Sequence, residues 1–271
     1  SGGDMSVSAE FSPFLNACRH AWNRFLVTFA ILAIVVAGCC YYAGLFDVER
    51  LADGAPSLAS LVSEMFPPDF SRLKDWGGPL VDTLAMSVAG TAIAVVLSLP
   101  LAILAARNTS PHPLVFHLCR GFLNGLRSIP ELIMGIVFVA AVGFGALPGV
   151  LALAFHSVGM VAKFFAEAIE HVDPAPVEAA RAAGCSPLQV IFHGTVPQVS
   201  PQMADTAIYR WEYNFRASTV MGMVGAGGIG FELIGSLRIM QYQEVSAILI
   251  VILLMVTFVD AFGSWLRRKT Q

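Results

Sequence analysis

Charge is scarce in this chain. Only 13% of its 271 residues are Asp, Glu, Lys or Arg, against about a quarter in soluble domains. That shortage excludes an ordinary water-facing surface. With a formal net charge of −3 there is no basic field to hold nucleic acid. Cysteine offers no framework either. Cys18, Cys39, Cys40, Cys119 and Cys185 fall in apolar stretches or on the side read below as cytoplasmic, and none lies in the long polar loop. Neither a disulfide scaffold nor a metal site is expected from such spacing. The six histidines (His20, His112, His117, His156, His171, His193) are scattered, so a membrane enzyme with clustered ligands or a nucleophile–base pair has no sequence support. No G-x-x-x-x-G-K-[ST] loop occurs, so the chain carries no nucleotide-driven motor of that kind.

What the chain has is apolar length: 56% hydrophobic residues and a mean hydropathy of +0.70. "SGGD" before Met5 reads as a cloning scar rather than part of the fold. A bilayer-crossing helix needs about 20 mostly apolar residues. Six stretches qualify: Phe25–Phe46, Pro79–Ala106, Leu114–Phe144, Pro148–Ile169, Val199–Val224 and Tyr242–Leu266. The expected fold is all-α and polytopic. Five spans result instead if 114–127 lies along the interface. Arg19 and Arg24 precede the first span, Arg107 and Arg120 flank the second and third, and Arg267, Arg268 and Lys269 close the chain. Six crossings place all of them on one side, which is therefore cytoplasmic. Residues 1–24 are then an inside segment, 25–46 the first span, 47–78 a periplasmic loop, 79–266 the core and 267–271 an inside tail. The outer loop Asp47–Gly78 holds three basic residues (Arg50, Arg72, Lys74) against six acidic ones (Asp47, Glu49, Asp53, Glu64, Asp69, Asp75).

The inside loop 172–197 has its own architecture. Asp173-Pro174 reads as an N-cap with proline in the first turn, and Gly184 as the left-handed stop. Ser186-Pro187-Leu188-Gln189 is a second start with a capping box, ending at Gly194 and Pro197. From the residues alone this is either a helix–turn–helix connector or a handle for a partner, since alanines let another backbone approach closely.

Glu178-Ala179-Ala180, three residues, Gly184 and the terminal Pro197 resemble the EAA loop of binding-protein-dependent ABC importer permeases. Gly194 and Val196 stand where that pattern has isoleucine and leucine. "RSIPELI" (127–133) and "STVMGMVGAGGIG" (218–230) extend the resemblance over Leu80–Arg268. "HSVGMVAKFFAEAIE" (156–170) and "YRWEYNFRASTV" (209–220) are most similar to the phosphonate-uptake (PhnE) branch of that family. The resemblance implies a type I permease fold in the bacterial inner membrane, surrounded by lipid, with 172–197 as the coupling helix. It implies a homodimer, two cytoplasmic ATP-binding subunits that hold ATP and Mg, and a periplasmic phosphonate-binding protein. This chain itself would carry no cofactor and no catalytic residue. Phosphite, a phosphate ester or methionine are the other substrates such motifs admit. A secondary transporter would show inverted repeats, which are not seen.

Charges inside spans mark candidates for the pathway, because a mid-bilayer charge costs about 2.5–3.5 kcal/mol on insertion scales. They are Arg127, Ser128 beside it, Glu131, His156, Arg210, Glu212 and Arg216. Glu212 and Arg216, four apart on one helical face, either lock to each other or face the pathway. Arg127 and Arg210 lack such a partner on their own segments and suit an oxyanion. His156 is read as a packing residue before a ligand, Lys163–Glu167 as a plain pair, and Tyr209, Trp211 and Tyr213 as packing. Pro130 should kink the third span. Gly225-Ala226-Gly227-Gly228-Ile229-Gly230 fits G-x-G-x-x-G, but no strand precedes it and Ile250 stands where an acid is needed. Gly225, Gly227 and Gly228 are instead expected to form a tight outer turn, near the external mouth in the resembling family.

The topology predicts which thiols an impermeant reagent reaches on intact cells. With the remaining cysteines changed to serine, a cysteine placed at Ser63 should label and Cys185 should not; the reverse pattern overturns the six-crossing arrangement.

Overall fold

The computed structural model describes residues 4–270, and the side chains of 19–269; Ser1–Gly3 and the Cys18 side chain, named above, lie outside these. Among the described residues there are helices and no strands. The chain divides into two units, Ser1–Ser63 and Glu64–Gln271.

The first unit holds α1 (Asp4–Tyr42). Its apolar portion Arg19–Tyr42 has 24 residues, or about 36 Å at 1.5 Å per residue, enough for a ~30 Å hydrocarbon layer. A turn at Gly44 (φ +76°) leads to α2 (Val48–Glu64), a helix inside the expected outer loop. Val48, Leu51, Ala55, Leu58 and Val62 recur on one face of it, at the three-and-four spacing of an amphipathic helix.

The second unit begins with α3 (Gly77–Ala105), followed by α4 (Pro113–Ser128), α5 (Glu131–Val142) and α6 (Ala146–Glu170). α6 is its central post, packed on α3, α4, α5 and α9 (Val196–Met221). Small residues make that possible. A Cβ added at Gly90 would sit 3.0 Å from Leu153 Cβ and 3.4 Å from the Val150 carbonyl, so α3 and α6 approach nearly backbone to backbone. Ala94, Ala102, Ala162 and Ala166 continue the seam around Val158, Val161 and Phe165. Lipid is as apolar as a leucine side chain, so such close fit, rather than a hydrophobic drive, holds membrane helices together.

The single third span expected over 114–144 is two helices, α4 and α5, which meet at 86°. Pro130 has no N–H to continue the ladder, and its ring drives Ile129 out of the helical region; Ile129 sits at φ −90°, ψ 119°. The kink anticipated from Pro130 is thus a near-right-angle break. Among the described residues four helical stretches are long and apolar enough to cross a membrane: Arg19–Tyr42, Gly77–Ala105, Ala146–Glu170 and Tyr242–Lys269, the last within α11 (Tyr242–Thr270). Two bent pairs raise this to six if each is one span: α4 with α5, and Pro187–Val224 with α10 (Ile229–Arg238), the second bent by 43°.

Gly194 and Pro197 do not end the second loop helix, contrary to the sequence reading. α8 (Pro187–Val190) passes through a π turn (Ile191–Thr195) directly into α9. The wider turn absorbs the donor that Pro197 lacks, as π bulges commonly do. Gly194 has a different task. A Cβ there would lie 3.1 Å from Val177 Cα and 3.4 Å from the Pro176 carbonyl, so its absence seats the first loop helix.

Candidate functional site

Two arrangements carry chemistry, and both hang on α9. At its start stands the loop. α7 (Pro174–Ala182) is capped by Asp173, whose side chain accepts from the Ala175 N–H at 2.9 Å. Gly184 adopts φ +78°. The Cys185 N–H donates to the Ala180 carbonyl and the Gly184 N–H to that of Arg181, the paired closing bonds of a Schellman end. Ser186 and Gln189 form the reciprocal capping box of α8. No residue of α7 is buried. Glu178, Ala179 and Ala180 therefore lie on an open surface, over a cleft of about 630 Å³ that Glu178, Arg181 and Cys185 help to line. The neck is tied down: Gln198 accepts from the Asp173 N–H at 2.9 Å and donates to the Gly194 carbonyl at 2.6 Å. Below it, Glu170 at the end of α6 accepts from Arg120 at 3.0 Å and from the Arg107 N–H at 2.8 Å.

Midway along α9 lies a buried polar cluster. Arg210 is 3% exposed. Its Nε donates to Ser157 Oγ (2.9 Å), Ser157 to Asn214 Oδ1 (3.0 Å), and Asn214 Nδ2 to Thr91 Oγ1 (2.8 Å). The guanidinium also stacks on the Tyr213 ring, 4.2 Å from its centroid, a cation–π contact strengthened by burial. Tyr213 donates to both oxygens of Glu131, at 3.0 and 3.1 Å. His156 Nε2 lies 3.3 Å from the same carboxylate, and its Nδ1 is 3.2 Å from the Ile129 carbonyl. Glu131 reaches this cluster because the break at Pro130 starts α5 there.

The structure thus brings Glu131, His156 and Arg210 together and adds Tyr213, which the sequence reading assigned to packing. An aromatic hydroxyl between two intramembrane charges was the available signal. Arg127 stands apart. It is half-buried, its Cγ lies 2.9 Å from where a Gly159 Cβ would be, and it has no ion pair among the described residues. Ser128 donates to the Asn124 carbonyl of its own helix at 2.8 Å.

Glu212 and Arg216 do not pair with each other. Both turn to α11, where Arg267 reaches Glu212 (2.7 Å) and Asp205 (3.8 Å), and Arg216 meets Asp260 (2.7 Å). Helical spacing suggested a local lock, but a facing helix offers each charge a shorter route to an opposite one. Gly263 on α11 leaves the room that the Glu212 carboxylate fills. Lys163 and Glu167 do pair, at 3.6 Å.

At the far end of α9, Gly225 (φ +101°), Gly227 (φ +76°) and Gly228 (φ +73°) take left-handed conformations that side chains rarely adopt. The turn lets α10 fold against α9 so closely that Gly230 packs on the Thr219 carbonyl. Thr83 of α3 fastens it, accepting from the Ile229 N–H at 2.9 Å. Nearby, Arg72 grips Glu244 at 2.8 Å, whose charge holds the guanidinium above its ordinary range.

An all-helical membrane subunit with a braced helical loop and a buried cationic cluster is the class these features define. Residues 98–271 match the family described as "Binding-protein-dependent transport system inner membrane component", and the chain belongs to that family of inner-membrane permease subunits. It is 71% identical over 247 residues, 91% of this chain and 90% of the relative, to the "Phosphite transport system permease protein PtxC" of Stutzerimonas stutzeri. It is 42% identical over 223 residues, 82% of this chain and 42% of the relative, to the "Phosphate-import permease protein PhnE" of Mycolicibacterium smegmatis. Among solved structures, an inward-facing form of the MetNI methionine ABC transporter superposes with a TM-score of 0.64, at 21% identity, over 75% of this chain and 99% of that one. That likeness shows a shared fold.

The Glu212–Arg267 pair has a measurable consequence. Arg267→Met leaves a carboxylate that is 7% exposed facing α11 without its closest partner, and breaking a buried pair costs about 3–5 kcal/mol. Thermal unfolding in detergent should show this loss, with much of it recovered in the double variant Glu212→Met/Arg267→Met. With Glu212→Met measured alongside, a double-variant loss equal to the sum of the two single losses would mean that the two side chains act independently.

Proposed function

We propose that this chain is the translocation subunit of an ATP-driven importer for a phosphorus oxyanion, with phosphite first and phosphonates next. The observation that carries the reading is the 71% identity, across nine tenths of both chains, to a permease named for phosphite transport. The geometry is consistent with it: an exposed, doubly capped helix pair for a cytoplasmic partner, and a buried guanidinium suited to an oxyanion.

The working cycle follows from these parts. Two copies of the chain line one pathway. Two cytoplasmic ATPase subunits bind ATP and Mg and dock on α7 and α8, through Glu178, Ala179, Ala180 and the turn at Gly184. A periplasmic binding protein delivers the anion to the outer face, where Gly225, Gly227 and Gly228 shape the mouth. Closing of the ATPase pair draws the two loops together and opens the pathway outward. Hydrolysis returns it inward and frees the anion. Arg210, with Arg127, lowers the electrostatic cost of bringing a negative charge into a low-dielectric interior, and Glu131 and His156 set the orientation of the cluster. The chain itself makes and breaks no covalent bond.

Cells that express this chain with its transport partners, and that have no other route for phosphorus, should grow on phosphite and take it up; uptake of methionine but not phosphite would overturn the reading. Gly184→Val tests the coupling role separately, because a β-branched residue resists a positive φ. The variant should insert and bind its partners, yet hydrolyse ATP without phosphite uptake. Normal uptake would remove Gly184 from coupling.

A further inference from the structure

Between α6 and α9 lies a cavity of about 150 Å³, walled by Met160, Val161, Phe164, Thr206, Tyr209, Arg210 and Tyr213. That is more than one water requires and of the order a compact anion fills. The charged group on this wall is Arg210. Its Nε is committed to Ser157 and its face to Tyr213, while its Nη2 is fully buried with no hydrogen-bond partner among the described residues. The nearest carboxylate of the cluster, Glu131, is already engaged by Tyr213 and His156. A buried guanidinium nitrogen with nothing to donate to is a costly arrangement, and an anionic oxygen relieves it.

The remaining wall is the informative part. Met160, Val161 and Phe164 offer no hydrogen bond. The Thr206 hydroxyl is spent on the Gln202 carbonyl at 2.8 Å. The donors left are the terminal nitrogens of Arg210, Nη1 and the buried Nη2, and the Tyr209 hydroxyl. We propose that this cavity is a selectivity subsite for a tetrahedral phosphorus anion that carries one apolar substituent, the P–H of phosphite or the P–C of a phosphonate, and that it disfavours phosphate. Phosphite has three oxygens to place near the donors and one hydrogen to set against methionine, valine and phenylalanine. Phosphate has a fourth oxygen, for which that apolar wall offers no partner. Burying one unpaired oxygen weakens binding about tenfold to a hundredfold.

The subsite rests on the importer reading above, and the experiment separates the two. The transporter, purified through a tag on this chain and without its binding protein, is titrated with phosphite, methylphosphonate and phosphate by calorimetry. Phosphite and methylphosphonate should bind at least about tenfold more tightly than phosphate, and Arg210→Met should abolish binding. Equal affinity for phosphate, no binding of any of the three, or undiminished binding by Arg210→Met each overturns the subsite. Should Arg210→Met fail to assemble, Met160→Gln decides: an amide on the apolar wall gives the fourth oxygen a partner, so the preference over phosphate should shrink, and an unchanged preference overturns the proposal. Uptake of phosphite by the wild-type transporter with its binding protein is measured alongside. Uptake without direct binding removes the subsite and leaves the importer reading standing; binding without uptake does the opposite.

Discussion

A guanidinium inside an apolar helix bundle must be held by something, and Arg210 is held by three helices. Through Ser157 it reaches α6, through Asn214 it returns to α9, and through Thr91 it reaches α3. The chain of bonds runs beside the close contact of α3 and α6 at Gly90 and Leu153. Neither feature works without the other. Short serine, asparagine and threonine side chains span the gap only because small residues bring the helices together, and that contact has one register partly because the polar groups must meet. Lipid gives helices little drive to associate, so fit and internal hydrogen bonds carry the specificity of this bundle.

The second unit repeats this logic at its ends. The turn between α9 and α10 is closed by glycines and pinned by Thr83. The loop between α6 and α9 is closed by Gly184 and tied at its neck by Gln198. Between them the charges of α9 divide: Arg210 turns toward α6, while Glu212 and Arg216 turn toward α11. One helix therefore carries a polar face turned to α6 and another turned to α11, which fastens it to its neighbour.

Whatever depends on a few neighbouring residues was legible in the sequence. Asp173, Gly184 and the Ser186–Gln189 box could be read because caps are local chemistry, and the apolar runs of α1, α3, α6 and α11 because hydropathy is local too. What depends on distant contact was not. Gly194 and Pro197 look like a stop, yet Gly194 lies in a π turn that runs on into α9 and is small because Val177 of another helix packs against it. Pro130 announces a break, but not that the break reaches 86° and delivers Glu131 to Tyr213. Helical spacing offered Arg216 to Glu212, whereas the partner found is Arg267 on α11. For the site, sequence nominated Arg210, Glu131 and His156 by the rarity of charge within spans. It missed Tyr213, whose place between intramembrane charges was a signal, because packing explains a tyrosine there equally well until Glu131 is seen to reach its hydroxyl.

The π turn also bears on mechanics. From Pro187 to Arg210 the chain is one helical run, about 35 Å long at the usual rise, and a helix is stiff along its axis. A load applied at Ser186 would reach the buried guanidinium along a single strut, with little lost to bending except where the hydrogen-bond ladder is loosened at Ile191–Thr195. That stretch would then act as a compliant joint beside the loop. It would let α7 and α8 tilt to follow a moving surface while the push itself continues along α9, and its stiffness would set how much travel at the membrane surface becomes motion at Arg210.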